Sequence, residues 1–443
     1  MPNVPIVNVV GGGLAGVELA YQLSQRKIRV RLFEMRPVSS TPAHCTGNLA
    51  ELVCSNSFKS KLPSSAPGIF KKELELLGSF VLKKAELAQV PAGEALAVDR
   101  EVFSKLIEQD LLGTGYVEKI TKRVEDLDAL PEAFCTVVAT GPLTQGGLAK
   151  NLQSYTENEG LYFYDAIAPV ISADSIDRSI VFAASRYGKG GDDYLNCPFS
   201  KEEYEVFYKA LMDADKMAFQ DFEEAKYFQG CQPIEAIAET GVDSLRFGPM
   251  KPVGLTDPRT GKRPYANVQL RLENLNRSAY NLVGFQTKLK YPEQKRVFSL
   301  IPGLKEAEFL RLGSMHRNTY ICTPKLLNKN FSAINKRQIR FAGQITGVEG
   351  YIESSSIGLL VSIAILRELS GKPFELPPSD TILGGLCRYL FETRPSEFQP
   401  MNVNFSLVTL GERKKNQSKQ EQRELFGRKS LEKMTIWRGE YLT

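Results

Sequence analysis

Six residues, Gly11-Gly12-Gly13-Leu14-Ala15-Gly16, follow the apolar run Ile6-Val7-Asn8-Val9-Val10 and open a helical pattern, and no other feature constrains the fold of this chain as strongly. The apolar run reads as a buried parallel strand. The glycines after it permit a tight turn and let backbone N–H groups approach a pyrophosphate at a helix N-terminus. Leu14, Val17, Ala20 and Tyr21 then recur at helical spacing through Gln25, and Arg29-Val30-Arg31-Leu32-Phe33-Glu34 reads as the next strand. Its last residue, Glu34, is placed to accept hydrogen bonds from a ribose hydroxyl and disfavours a 2′-phosphate. A bare Gly-x-Gly-x-x-Gly is a weak signal, but strand, turn, helix and strand together make it a dinucleotide-binding fingerprint. FAD, NAD and S-adenosylmethionine proteins share this logic, so the cofactor has to be decided elsewhere.

Two later segments favour FAD. Thr136-Val137-Val138-Ala139-Thr140-Gly141-Pro142 is a strand running into a small-residue turn of the kind that returns to the sheet beside a flavin. Arg340-Phe341-Ala342-Gly343-Gln344, then Gly347-Val348-Glu349-Gly350-Tyr351, lead into a helical stretch from Ser354 to Leu369 and offer a second dipole-assisted anion site. The candidate FAD-binding residues are Gly11, Gly12, Gly13, Leu14, Ala15, Gly16, Glu34, Thr140, Gly141, Gly343, Gln344, Gly350 and Tyr351. Because these segments lie at both ends of the chain, the expected fold is α/β. It consists of a discontinuous Rossmann-like FAD-binding domain, 1–155 and 325–443, interrupted by a smaller inserted α/β domain, 156–324. Inside the insertion, helical patterning over 201–213 and 219–225 alternates with β-like runs at 267–272 and 281–285.

A chain of 443 residues is long enough for two or three cores. Its longest apolar stretch, 357–366, falls well short of the roughly 20 residues that span a bilayer, so no membrane association is expected. The first residues carry no basic, apolar leader, which points to the cytoplasm. Seven cysteines are scattered without a C-x-x-C pair, which fits neither a disulfide framework nor a zinc site, and two histidines are too few for a histidine-rich metal centre. No metal is expected. The segment from Gly411 to Arg438 holds nine Lys/Arg against four Asp/Glu, an excess equal to that of the whole chain. It reads either as a solvated helical surface or as a contact to RNA phosphates.

Two cysteines stand in chemically suggestive settings. Cys54 falls between the apolar Leu52-Val53 and the polar Ser55-Asn56-Ser57, and Cys231 precedes Pro233 at a turn that opens a helix, a position that lowers a thiol pKa. Spacing alone does not distinguish either of them from a buried structural thiol.

Longer segments do. Met35-Arg36-Pro37, Thr41-Pro42-Ala43-His44, the Cys54 segment, Val90-Pro91-Ala92-Gly93-Glu94-Ala95-Leu96-Ala97-Val98-Asp99-Arg100, Tyr194-Leu195-Asn196-Cys197-Pro198 and Gly230-Cys231 with Pro233-Ile234-Glu235 occur in one family in this order. So do Phe247-Gly248-Pro249-Met250-Lys251-Pro252-Val253-Gly254-Leu255, Met315-His316-Arg317-Asn318-Thr319 and Phe398-Gln399-Pro400-Met401-Asn402. The chain closely resembles the folate- and FAD-dependent tRNA (uracil-5-)-methyltransferases, the TrmFO (formerly Gid) family, from its first strand to about Val408. It departs from the family pattern at Gly12, where Ala is frequent, at Cys45 and at Gln232.

The resemblance implies C5-methylation of a T-loop uridine in tRNA. The carbon comes from methylenetetrahydrofolate, FAD acts as carrier and reductant, and NADH or NADPH is the electron source. It implies a cysteine adduct at carbon 6 of uracil, with Cys231 as the thiolate and Cys54 removing the carbon 5 proton, or the reverse. Tyr351 is a candidate to stack on the folate pterin, and Arg317 or Lys288 to pair with folate carboxylates or RNA phosphates. Arg259, Lys262, Arg263, Lys288, Lys290 and the basic tail are candidates for a positive rim around a uridine turned out of folded RNA. No obligate protein partner is expected. Three readings remain open beside this one: the same chemistry on a ribosomal RNA uridine, an FAD oxidoreductase acting on a small metabolite, and a non-catalytic FAD-bearing RNA-binding protein.

Overall fold

Strands from both ends of the sequence meet in one parallel sheet. In a computed structural model describing residues 5–41, 43–155, 161–188, 191–217, 232–413 and 416–442, its five strands lie in the order Ile339–Phe341, Cys135–Val138, Ile6–Val10, Arg29–Glu34, Val117–Thr121. All four pairings are parallel, and the central strand is in register with Val7 opposite both Val30 and Cys135. Strand Cys135–Val138 is buried along its whole length, as the continuous apolar run requires of a strand covered on both faces.

Helix Leu14–Ser24 buries nine of its eleven residues, because it is held between the sheet and the long helix Tyr351–Leu369. Fourteen consecutive residues of the long helix, Ile352 to Ile365, are buried, the signature of a core helix rather than an amphipathic surface one. It starts at Tyr351, three residues before the sequence pattern indicates, because Gly350 at φ +122° makes the turn that precedes it.

The second sheet is antiparallel, with six strands in the order Phe182–Ala183, Tyr194–Phe199, Ala266–Leu272, Ala279–Leu282, Val170–Ser172, Phe309–Arg311. Helix Lys201–Asp213, opened by a capping box between Ser200 and Glu203, covers it with Tyr204, Phe207 and Leu211. The helical stretch expected at 219–225 lies outside the described residues. The strand expected over 281–285 instead runs from Ala279 to Leu282, since Gly284 at φ +79° turns the chain out of the ladder. The core of this layer reaches into the first third of the sequence: Val90, Ala92 and Ala97, in and beside a small sheet of Gln89–Val90, Ala95–Val98 and Ser57–Ser60, join it. An antiparallel ribbon, Leu161–Ala166 with Met315–Tyr320, carries the chain between the two large sheets.

The basic C-terminal segment forms helix Lys419–Tyr441. It is not simply a solvated surface. Phe426, Ser430, Met434, Trp437 and Tyr441 recur every three or four residues and are buried, and Gly427 lies against Ile69 of helix Ala66–Leu76. Among the described residues no helix is long and apolar enough to cross a membrane.

Candidate functional site

A cavity of about 410 Å³ opens at the carboxyl ends of the parallel strands, where open α/β sheets bind their ligands, and the antiparallel sheet forms its far wall. Gly11, Gly12, Gly13, Leu14, Ala15, Glu34, Thr140, Gly141, Gly343, Gln344, Gly350, Tyr351 and Cys54 all line it. Gly16 does not. It stands behind the turn, where a Cβ would fall 1.9 Å from the Gly11 carbonyl oxygen, so its role is to let the helix start directly beneath the strand. Gly11, at φ +106°, would bring a Cβ to 2.5 Å from the Ala139 carbonyl oxygen, whereas the Cβ side of Gly13 is open space. Gly13 is also the N-cap of helix Leu14–Ser24 and makes no side-chain cap bond. The turn therefore combines tight packing behind with an open backbone face in front, as a pyrophosphate cradle requires.

Glu34 is more heavily engaged than the sequence suggests. Its Oε2 accepts from Gly12 N–H at 2.9 Å and from Arg36 Nη2 at 3.1 Å, and its Oε1 accepts from Arg36 N–H at 3.0 Å and Arg36 Nε at 2.9 Å. Four donors match the lone-pair capacity of a carboxylate, so Glu34 first closes the glycine turn and any ribose hydroxyl shares an oxygen already in use. Burial alone would raise the Glu34 pKa; the Arg36 guanidinium outweighs it and holds the carboxyl below its ordinary range. Arg36 also donates to Glu51 Oε2 at 3.0 Å, and Glu51 in turn accepts from the backbone of Cys45 and Thr46.

Tyr351 and the Cys54 loop form the second constellation. The Tyr351 hydroxyl oxygen accepts from Cys54 N–H at 2.9 Å and Ser55 N–H at 3.0 Å, and donates to Cys54 Sγ at 3.5 Å. Burial, and then the neighbouring Cys54, push the phenol well above its usual pKa, so it keeps its proton. Three arginines hold the other side of the loop. Arg311 donates to Val53 O at 3.2 Å and Cys54 O at 3.3 Å, Arg100 donates to Leu52 O, and Arg271 Nε donates to Asn56 Oδ1 at 3.0 Å. Glu273 pairs with Arg100 at 2.8 Å. Of these groups, sequence reasoning had singled out only Cys54 and Tyr351. Arg100 ends a motif quoted above, but Arg271 and Arg311 carry no local signal.

The far wall supplies Arg271, Asn281, Val283 and Gln286. Asn281 is buried and its Nδ2 has no hydrogen-bond partner, which leaves a donor for an acceptor-bearing ring in the cavity. Cys231 lies outside the described residues. The chain resumes at Gln232, Pro233 caps helix Ile234–Glu239, and Ile234 N–H donates to Gln286 O at 2.7 Å, which ties that segment to the cavity wall. Several expected rim cations have internal partners: Arg259 grips Asp257 through Nη2 at 2.8 Å, Lys288 lies 3.7 Å from Glu239, and Lys290 lies 3.2 Å from Asp215.

Fold and cavity together define a flavoprotein of the two-part Rossmann type. The glycine cradle, the second turn at Gly343–Tyr351 and the unpartnered Asn281 donor fit FAD with a second ring system beside it. A crystallised GidA of Aquifex aeolicus superposes with a TM-score of 0.66 at 15% identity, over 98% of this chain and 74% of its own, and shares the fold. The family described as "Glucose inhibited division protein A" matches residues 6–373. Two proteins named methylenetetrahydrofolate--tRNA-(uracil-5-)-methyltransferase TrmFO are far closer in sequence. The one from Natranaerobius thermophilus is 50% identical over 94% of this chain and 96% of its own, and the one from Lactobacillus acidophilus is 48% identical over 98% and 99%. The chain belongs to the GidA family and, within it, to the TrmFO family.

Proposed function

We propose that this protein methylates carbon 5 of a T-loop uridine in tRNA, taking the carbon from methylenetetrahydrofolate and the electrons from NADH or NADPH by way of FAD. The observation that carries the reading is the place of Cys54: on the wall of the cavity that the glycine turns open, fixed by Tyr351 and three arginines. When bound, FAD supplies reducing electrons and carries the one-carbon unit; the chain supplies orientation and proton handling. Gly11 to Ala15, Thr140, Gly141, Gly343, Gln344 and Gly350 would hold it.

Carbon 5 of uracil is a poor nucleophile, and thiolate addition at carbon 6 turns the ring into an enolate that attacks an electrophilic carbon. Cys231 is proposed as that thiolate. Cys54 then takes the carbon 5 proton as the bond from the transferred carbon to its carrier breaks; a hydride, which reduced FAD would supply, converts the resulting exocyclic methylene to methyl, and the Cys231–carbon 6 bond breaks to restore the ring. Arg271, Asn281 and Gln286 on the antiparallel wall face the folate and the flipped base, and 156–324 is proposed as the RNA- and folate-facing unit. The test is transfer of label from methylene-labelled folate into unmodified tRNA by the FAD-loaded protein with NADH or NADPH. Labelled 5-methyluridine in tRNA is expected. Label confined to a ribosomal RNA fragment, or none from protein with reducible flavin, would overturn the proposal.

A further inference from the structure

The Tyr351 hydroxyl fixes the direction of its hydrogen bond to Cys54. A phenolic oxygen offers one donor and two acceptor sites, and here two backbone N–H groups, of Cys54 and Ser55, occupy the acceptor sites. The hydroxyl therefore has only its hydrogen left to give, and Cys54 Sγ, 3.5 Å away, must accept it. A thiolate accepts such a bond far better than a thiol does.

The charges around the loop point the same way. Arg100, Arg271 and Arg311 converge on residues 52–56 and share one paired carboxylate, Glu273. Arg100 is close enough for its charge to sense both Tyr351 and Cys54. Arg311 Nε is buried without a hydrogen-bond partner. Tyr351 is the first residue of the 19-residue helix that Gly350 opens, which fixes the backbone from which its hydroxyl reaches the sulfur. The other titratable groups around the loop and cavity include Glu51, paired with Arg36 at 3.0 Å, Glu349, which accepts from Gln344 at 2.5 Å, His44, Tyr194 near Arg271, Cys45 near Arg311, and Lys59, which is paired with Glu353 at 2.7 Å.

We propose that Tyr351, Arg100, Arg271 and Arg311 are positioning residues that hold Cys54 as a thiolate in the resting enzyme, with the thiol proton released to solvent through the cavity. The sulfur is thereby a base before substrate arrives. Two of the arginines come from the antiparallel layer, so the state of Cys54 depends on the docking of that layer against the parallel sheet. The use of the thiolate rests on the function proposed above; its existence does not.

The test is the pH dependence of iodoacetamide alkylation at Cys54, read peptide by peptide by mass spectrometry on the full-length, FAD-loaded protein. The native Cys54 rate is expected to reach half its maximum at least about one pH unit below the free-cysteine value of about 8.5. Tyr351→Phe and Arg271→Gln should each move that midpoint up by about one unit, roughly a tenfold loss of thiolate at pH 7, while Arg271→Lys stays near native. A native midpoint at or above 8.5, or Lys and Gln variants that behave alike, would overturn the inference. If Arg271→Gln does not fold, Tyr351→Phe alone decides. Retained tRNA methylation by Cys54→Ala would instead sink the catalytic reading and leave the titration standing.

Discussion

A Cβ placed on Gly358 would lie 2.3 Å from the carbonyl oxygen of Ala15, so the long helix and the fingerprint helix meet backbone to backbone. Residues some 340 positions apart in sequence are thus packed together just behind the cofactor cavity, whose wall holds Ala15 and also Gly343, at 2.7 Å from Ala15 for its would-be Cβ. The contact sets how the two glycine turns face each other across the cavity.

Gly358→Ala should therefore act on both stability and flavin. The neighbour is backbone and cannot rotate away, so the helices must part, at a cost of about 1–3 kcal/mol. Urea unfolding should show that loss, and the purified variant should retain less flavin by its visible absorbance. Unchanged values in both would mean that the helices are not packed this closely.

The fingerprint glycines should separate folding from binding. Gly16→Ala puts a methyl group into the Gly11 carbonyl and is expected to destabilise the protein even without flavin. A Cβ on Gly13 meets nothing within 4 Å in the protein, at an ordinary φ of −77°, so the Gly13→Ala apoprotein should melt within a few degrees of the parent. It should still bind FAD weakly, since the added side chain enters the space left for the ligand. Calorimetry of the apoproteins, followed by FAD titration, separates the two effects.

Arg36 is 2% exposed and serves two carboxylates, Glu34 and Glu51. Arg36→Met would strand both in the cavity wall, and breaking a buried pair from one side costs about 3–5 kcal/mol. Glu34, now held below its usual pKa, contributes stability that is present above the unfolded value and lost as the pH falls through its depressed folded one. In Arg36→Met that sign should reverse, with stability improving as the pH falls toward 5. The double variant with Glu34→Gln should recover much of the loss at pH 7, and additive losses would show that the two residues do not act as a pair.

How much of this was legible in the sequence depends on how local each signal is. The strand 6–10 is a continuous apolar run and the helix after it keeps a period of 3.6, so the observed Ile6–Val10, Leu14–Ser24 and Arg29–Glu34 lie within a residue of the pattern. The strand at 281–285 was misplaced because Gly284 acts through a turn that no periodicity encodes. Cys54 stood out by its setting, but its partners did not. Tyr351 lies 297 positions away and Arg311 257, and pairing across such distances depends on how the two sheets dock. Tyr351 itself was singled out as a ring to stack on a pterin; the commitment of its hydroxyl to the cysteine loop is a separate role that its sequence position does not signal.

Glu73 offers the most direct pH test. It is fully buried and accepts from Ile382 N–H at 2.9 Å, from Leu383 N–H at 2.8 Å and from the Ser430 hydroxyl, tying helix Ala66–Leu76 to helices Ile382–Glu392 and Lys419–Tyr441. Burial raises its pKa to about 7, against the lowering effect of those donors. A carboxyl whose folded pKa is raised stabilises the fold fully below its unfolded value, and that stability is lost as the pH rises through the folded one. The free energy of unfolding of the native protein, minus that of Glu73→Gln, should therefore decline between about pH 4.5 and 7 by about 3 kcal/mol in all and level off above pH 8. Subtracting the Gln variant removes the titrations common to both proteins. A difference that stays flat across this window would mean that Glu73 is ionised in the folded protein throughout, with the helix-capping N–H groups outweighing its burial.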